Sequence, residues 1–317
     1  MRILLATDFS TPAQTAHALV QGLSLPAGSE IRLVHAIEPL PTVAVFASAS
    51  LLTISDAVEA EARAELGASA AALAAPGVDV KVVLGAGRAA DVIVDECFSF
   101  EPDLVVVGSR GRGGLATSVL GSVSAEVVDR APSPVLVARG RSLARIVLAE
   151  DGSAPAVAAA RVIGDLPLFG GADIRVVSVV DVPFPILMPD HATAGAAAET
   201  VRAHEESLVT LRAAHAVFAR ERATALAGRG LRATWEVREG GAVSGVLAAA
   251  QAHRADCIVT GSRGHSGLRR LFLGSVARGV LLNAPCSVLI AHVPLGEAKV
   301  PGTADGVGLH LTESPAR

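Results

Sequence analysis

The sequence predicts an α/β protein made of two tandem doubly wound, Rossmann-like domains with five-stranded parallel sheets. Three observations carry this. Short apolar runs almost free of polar residues alternate with segments of helical composition, the pattern of parallel strands buried on both faces. One glycine loop occurs twice, as Gly108-Ser109-Arg110-Gly111 with nine residues before Gly121-Ser122, and as Gly261-Ser262-Arg263-Gly264 with nine before Gly274-Ser275. An acid closes the first apolar run of each half, at Asp8 and Asp151. These acids lie 143 residues apart and the loops 153, so the second half holds about ten extra residues. They fall in the loop and long helix after its second strand.

The elements follow in order. Residues 2–7 form a first strand, and Ser10 or Thr11 with Pro12 starts a helix through 23. Strands are expected at 31–37, 78–84, 104–107 and 135–138, with helices over 56–73, 85–98 and 119–130 between them. Residues 139–143 are a polar link. The order then repeats, with strands at 145–149, 174–180, 231–237, 257–260 and 288–291. Asp151-Gly152-Ser153 and Pro155 start the helix after the first of these, and further helices cover 199–227, 243–253 and 276–282. The units therefore run over 1–139 and 143–293, and 294–317 is a loosely ordered tail without periodicity.

Composition bounds the function. The 317 residues suffice for two cores, and with 51% hydrophobic and 3% aromatic residues those cores must be Ala, Val and Leu. The most apolar loop-like stretch, 42–54, is shorter than the ~18–20 residues of a membrane span and is broken by serines. The apolar run at the N-terminus is too short for a signal peptide. Cys97, Cys257 and Cys286 show no CxxC spacing and are odd in number, which points to reduced, packed thiols in a cytoplasmic protein. A net charge of −4 without a basic run of five disfavours nucleic acid as a partner.

The repeated loop carries the chemistry. At the carboxyl end of a strand, Gly108 and Gly111 let a phosphate approach the backbone, and Gly121-Ser122 opens a helix whose unpaired amides attract anions. A glycine turn with a serine N-cap is the plainer reading. Two copies at one spacing favour the phosphate. Asp8 and Asp151 either cap helices, a task open to Ser10 and Ser153, or face a ribose hydroxyl, an adenine edge or a metal on phosphates. Arg110 and Arg263, like Arg112 and His265, either approach phosphates or remain solvated loop cations. Gly85-Ala86-Gly87 follows the third strand and lacks the later glycine of a dinucleotide fingerprint. No Walker lysine pattern, Gly-x-Ser-x-Gly elbow or metal-spaced His cluster is present. His204 and His215 read as surface histidines of a solvated helix.

On these residues the sequence resembles a tandem universal stress protein. The family motif Gly-x2-Gly-x9-Gly-Ser/Thr is matched by Gly108, Gly111, Gly121 and Ser122, and by Gly261, Gly264, Gly274 and Ser275. Thr7-Asp8-Phe9-Ser10 and Asp151-Gly152-Ser153 resemble its first-strand signature, from which Glu150 departs in place of a small or apolar residue. The resemblance to the ATP-binding branch implies one ATP site per half, with Mg2+ or Mn2+ held through the phosphates. It places Ala36 and Val179 against adenine, Val107 and Thr260 before the loops, and Val123 and Val276 after the serines. It implies that the fifth strands, 135–138 and 288–291, join the halves as a pseudo-dimer, and it allows a homodimer. The activity implied is ATP binding in stress response or regulation. A slow ATPase or adenylate-transferring enzyme, and a structural interaction module whose glycines are only turns, are the alternatives.

Overall fold

Alternate residues of the first strand feed two different cores. From β1 (Arg2–Ala6), Ile3 and Leu5 enter one apolar cluster and Leu4 and Ala6 another, all buried. Because both faces of the strand are covered, no alternating polar residue interrupts the run. The protein is described by a computed structural model over residues 1–38, 50–111, 120–181, 194–262 and 273–292. Most of the apolar stretch 42–54, the loop residues Arg112, Arg263, Gly264 and His265, and the expected tail 294–317 lie outside these residues.

The first half contains α1 (Thr11–Gln21), β2 (Ser29–Ile37), α2 (Ser50–Leu73), β3 (Val78–Ala86), α3 (Ala89–Phe100), β4 (Leu104–Gly108), α4 (Ser122–Arg130) and β5 (Val135–Ala138). The second contains β6 (Arg145–Ala149), α5 (Ala154–Asp165), β7 (Asp173–Val180), α6 (Ala194–Ala227), β8 (Arg232–Glu239), α7 (Ala242–His253), β9 (Cys257–Gly261), α8 (Ser275–Asn283) and β10 (Ser287–Ala291). The strands make one ten-stranded sheet in the order β3-β2-β1-β4-β5-β10-β9-β6-β7-β8. Within each half all pairings are parallel, and the chain reverses direction across the sheet beside β1 and beside β6. Helices α1, α2, α5 and α6 cover one face, and α3, α4, α7 and α8 the other.

The same local chemistry starts both halves. Ser10 Oγ accepts from Ala13 N–H at 3.4 Å and Ser153 Oγ from Ala156 N–H at 3.3 Å, each with a proline in the first turn. The extra residues of the second half lie where expected, since α6 has 34 residues against 24 in α2.

Several boundaries differ from the sequence reading. Strand β3 runs through Ala86 because Ala36 and Ile37 of β2 pair with Gly85 and Ala86, so α3 begins at Ala89 rather than 85. A Cβ on Gly85 would meet the Val92 side chain, and Gly87 has φ 137°, so this glycine pair serves a turn and close helix packing. His215 is half-buried, not solvated, with Nδ1 2.8 Å from Ser178 Oγ. The cysteines fit the packing role. Cys97 and Cys257 are buried, and burial pushes the Cys97 thiol up to about 12.

The fifth strands join the halves, as the resemblance implied. β5 and β10 pair antiparallel, with Val137 opposite Val288, Leu136 opposite Leu289 and Val135 opposite Ile290. Arg139 strengthens the joint by donating from Nη2 to Leu281 O at 2.6 Å, near the C-terminus of α8. The Arg139 and Gly140 amides donate to the buried Ser287 Oγ at 3.1 and 3.2 Å. Leu289→Ala, which empties a fully buried position at this joint, is expected to lower stability by about 2–5 kcal/mol in urea unfolding.

Candidate functional site

The site begins where β1 runs out. Ser10 N–H and Oγ–H donate to Asp8 Oδ1 at 3.1 and 2.5 Å, so the carboxylate does help shape the start of α1. Its other oxygen faces the loop. A Cβ on Gly111 would lie 2.6 Å from Asp8 Oδ2, so any other residue here would require this carboxylate to swing aside. Between them Phe9 adopts φ 60°, held by its N–H donating to Thr7 Oγ1 at 3.1 Å and by its ring packed, tilted by 42°, with its centroid 4.7 Å from that of His35. His35 Nδ1 lies 2.7 Å from Thr7 O, which fixes the proton on Nδ1.

Gly108 has a packing reason beside the one its sequence suggested. A Cβ there would meet Pro12 C at 2.8 Å and Ala13 N at 2.9 Å, which are backbone atoms of α1. Gly261 stands against Pro155 in the same way, with C and O both at 2.5 Å from such a Cβ. These glycines let a strand end and a helix start touch. The room they create lies next to the loop.

The loop closes identically in both halves. Gly121 N–H donates to Ser109 O and Gly274 N–H to Ser262 O, each at 2.8 Å. Gly121 and Gly274 are the N-caps of α4 and α8, so Ser122 and Ser275 are first helical residues, not caps. A glycine cap has no side-chain oxygen to take the first amides, which suits an anion arriving there. Ser122 and Ser275 are exposed.

In the first domain these pieces surround one cavity of about 500 Å³. All nine residues singled out in that half, Asp8, Ala36, Val107, Gly108, Arg110, Gly111, Gly121, Ser122 and Val123, line it. Its apolar side also includes Val34, Ala89 and Ile93, and its polar side Thr7, His35 and Glu38; of these the sequence had marked only Thr7, within the first-strand signature. Their contribution depends on β2 lying beside β1 and α3 crossing over both, which no local motif encodes. His35 and Thr7 did adjoin flagged positions in sequence.

The second domain places Asp151, Val179, Thr260, Gly261, Gly274, Ser275 and Val276 at the matching points of its strands and helix. Asp151 Oδ1 accepts from Ser153 N–H at 3.0 Å, as Asp8 does from Ser10. Arg263 and Gly264 fall outside the described residues. Val179 is bulkier than Ala36, and Gly245 of α7 makes room for it, since a Cβ there would lie 2.8 Å from both Val179 methyls. Glu150 follows the alternation of β6 towards α6. Its fully buried carboxylate accepts from Arg222 Nε at 2.6 Å and from Gly152 N–H at 2.8 Å. Ser178 Oγ donates to Glu150 O at 2.6 Å and lies against His215. The departure at Glu150 is thus a clamp between α6 and the end of β6.

Two outcomes follow. Gly108→Ala and Gly261→Ala, which press a methyl onto backbone, are expected to lower the melting temperature and to lose about 1–3 kcal/mol each in denaturant unfolding. Glu150→Ala leaves Arg222 without its buried partner and is expected to lose about 3–5 kcal/mol by the same measurement.

Comparison with known proteins agrees with this architecture. The universal stress protein family profile matches residues 1–139 and again 143–292. A universal stress protein of Thermus aquaticus is 36% identical over 142 residues, 43% of this chain and 97% of that protein. One from Mycobacterium tuberculosis is 27% identical over 210 residues, 61% of this chain and 63% of that protein. The crystal structure of a universal stress protein from Archaeoglobus fulgidus covers 92% of this chain and 98% of its own, with a TM-score of 0.61 at 20% identity, a likeness of fold. With the profile matched twice along one chain, and the repeated glycine loops at corresponding strand ends, the protein belongs to the universal stress protein family as a tandem member.

Proposed function

We propose that the chain binds adenine nucleotide, ATP with its divalent cation, at the strand-end crevice of each domain. The carrying observation is the convergence of nine residues from four separate segments on one cavity with an apolar side and a glycine-capped helix start. The base packs among Ala36, Val107 and Ile93, where apolar contact suits a planar ring. The phosphates meet the first amides of α4 with the Ser122 hydroxyl, and Val123 adds its amide. Asp8, with one oxygen held by Ser10 and the other turned to the loop, accepts from a ribose hydroxyl. Arg110 supplies positive charge.

In the second domain Asp151, Val179, Thr260, Gly261, Arg263, Gly264, Gly274, Ser275 and Val276 take the equivalent parts. Among the described residues no group of three or more His, Cys, Asp or Glu could hold a metal, so Mg2+ or Mn2+ rides chiefly on the phosphates. The role is binding that signals nucleotide state, in stress response or regulation, rather than turnover. Asp8, tied to Ser10, is poorly set to act as a base. Among the described residues no helix is long and apolar enough to cross a membrane, and we place the protein in the cytoplasm.

Ser122→Glu puts a carboxylate at the first helical position, which favours α4 itself but repels phosphate. The expected result is an unchanged melting temperature with affinity for MgATP at the first domain lowered about tenfold or more, near 1.4 kcal/mol, by calorimetry. Unchanged affinity would remove the phosphates from this helix, and failure of the unmodified chain to take up ATP would end the proposal.

A further inference from the structure

Two cavities meet at the start of α4. Gly121 and Ser122 line the cavity of about 500 Å³ in the first domain, and they also line a second one of about 310 Å³. This second cavity is a groove between α4 and α8. From Ser122 one wall follows Ala125 and Val128, at the three- and four-residue spacing of a single helix face. Leu281 and Leu282 of α8, with Leu273 before it, form the facing wall. Leu282 keeps 41% of its surface exposed, so the groove holds apolar area in contact with solvent. Its charges stand together near the end of α4 remote from Ser122, where Asp129 Oδ1 accepts from Leu273 N–H at 3.3 Å and Oδ2 lies 3.4 Å from Arg278 Nη2. Seven residues of helix, about 10 Å, separate Ser122 from Asp129. Gly274 and Ser275 do not line the groove, so it adjoins the first domain's helix start and not the second's.

We infer that the first site accepts a nucleoside diphosphate carrying a short aliphatic arm on its second phosphate, with the arm laid in the groove between α4 and α8. This rests on the nucleotide reading above. With the base in the larger cavity and the phosphates at the first amides of α4, a substituent on the second phosphate leaves from the point where the groove begins. A further phosphate sent that way would give up water for leucine and valine side chains, at a cost in desolvation. An aliphatic chain gains by covering the same surface. The arm ends before the Asp129–Arg278 pair, whose charges already satisfy each other. A volume of 310 Å³ is at the low end for small-molecule cavities, which suits a short chain and not a second nucleotide. MgATP remains a ligand of the same crevice, its last phosphate stopping at the mouth of the groove.

Calorimetry on the full chain tests this with three probes: MgADP, and the methyl and hexyl esters of ADP at its second phosphate. The two esters carry equal charge and differ only in the arm. The hexyl ester is expected to bind about tenfold or more tightly than the methyl ester. Ala125→Phe fills the groove one turn beyond Ser122, and Leu282→Asp sets a charge in its facing wall. Neither position is buried, so both variants should fold. In each, the hexyl preference should fall to about threefold or less, while affinity for MgADP stays within about twofold of the unmodified chain. A hexyl preference below about threefold in the unmodified chain, or one that survives either variant, would overturn the inference and leave nucleotide binding standing. No heat with MgADP in the unmodified chain would overturn both.

Discussion

The contact on which the molecule depends is backbone against backbone. The last residue of β4 touches the first turn of α1 at Gly108 and Pro12, and the last residue of β9 touches α5 at Gly261 and Pro155. Any side chain at either glycine would push the helix off the strand. That approach brings the N-terminus of one helix and the end of the neighbouring strand together at the point where the sheet changes direction. A crevice at this point is then unavoidable, because β1 and β4 diverge there into loops that leave on opposite faces. The glycine loop lies along its rim, and Asp8 can reach Gly111 only because the same geometry brings β1 and β4 side by side.

Duplication adds a constraint of its own. Antiparallel pairing of β5 with β10 turns two five-stranded units into one sheet and buries the edge strand that each would otherwise expose. It also brings α4 beside α8, where Asp129 Oδ1 accepts from Leu273 N–H. On the opposite face, the Glu150–Arg222 clamp and the His215–Ser178 contact tie α6 to the second domain, while in the first His17 and Gln21 of α1 reach the Ser69 and Ala72 carbonyls of α2. A repeated fold thus carries different side chains at corresponding places.

Much of this was legible in the residues. Buried strands announce themselves by unbroken apolar runs, and glycines repeated at fixed spacing marked both loops. The duplication and the longer α6 followed from counting. What stayed hidden depends on packing between distant segments. Nothing near Gly108 in the chain says that Pro12 will lie against it, so its glycine read as room for a ligand when it is first room for a helix. Ser122 read equally as a cap, and only the backbone at Gly121 assigns that task to the glycine. His215 sits in a stretch of polar helix, and its burial arises from Ser178, on a strand 37 residues earlier. Ile93 and Ala89 enter the cavity because α3 crosses above β1 and β2.

The central claim is that adenine nucleotide occupies the first domain's crevice, with its phosphates at the start of α4. A crystal structure of the full chain with a non-hydrolysable ATP analogue tests it most directly. The account predicts phosphate oxygens within hydrogen-bond distance of the Ser122 and Val123 amides, and the base packed beside Ala36 and Val107. Nucleotide bound elsewhere on the chain, or an empty crevice at saturating analogue, would contradict it.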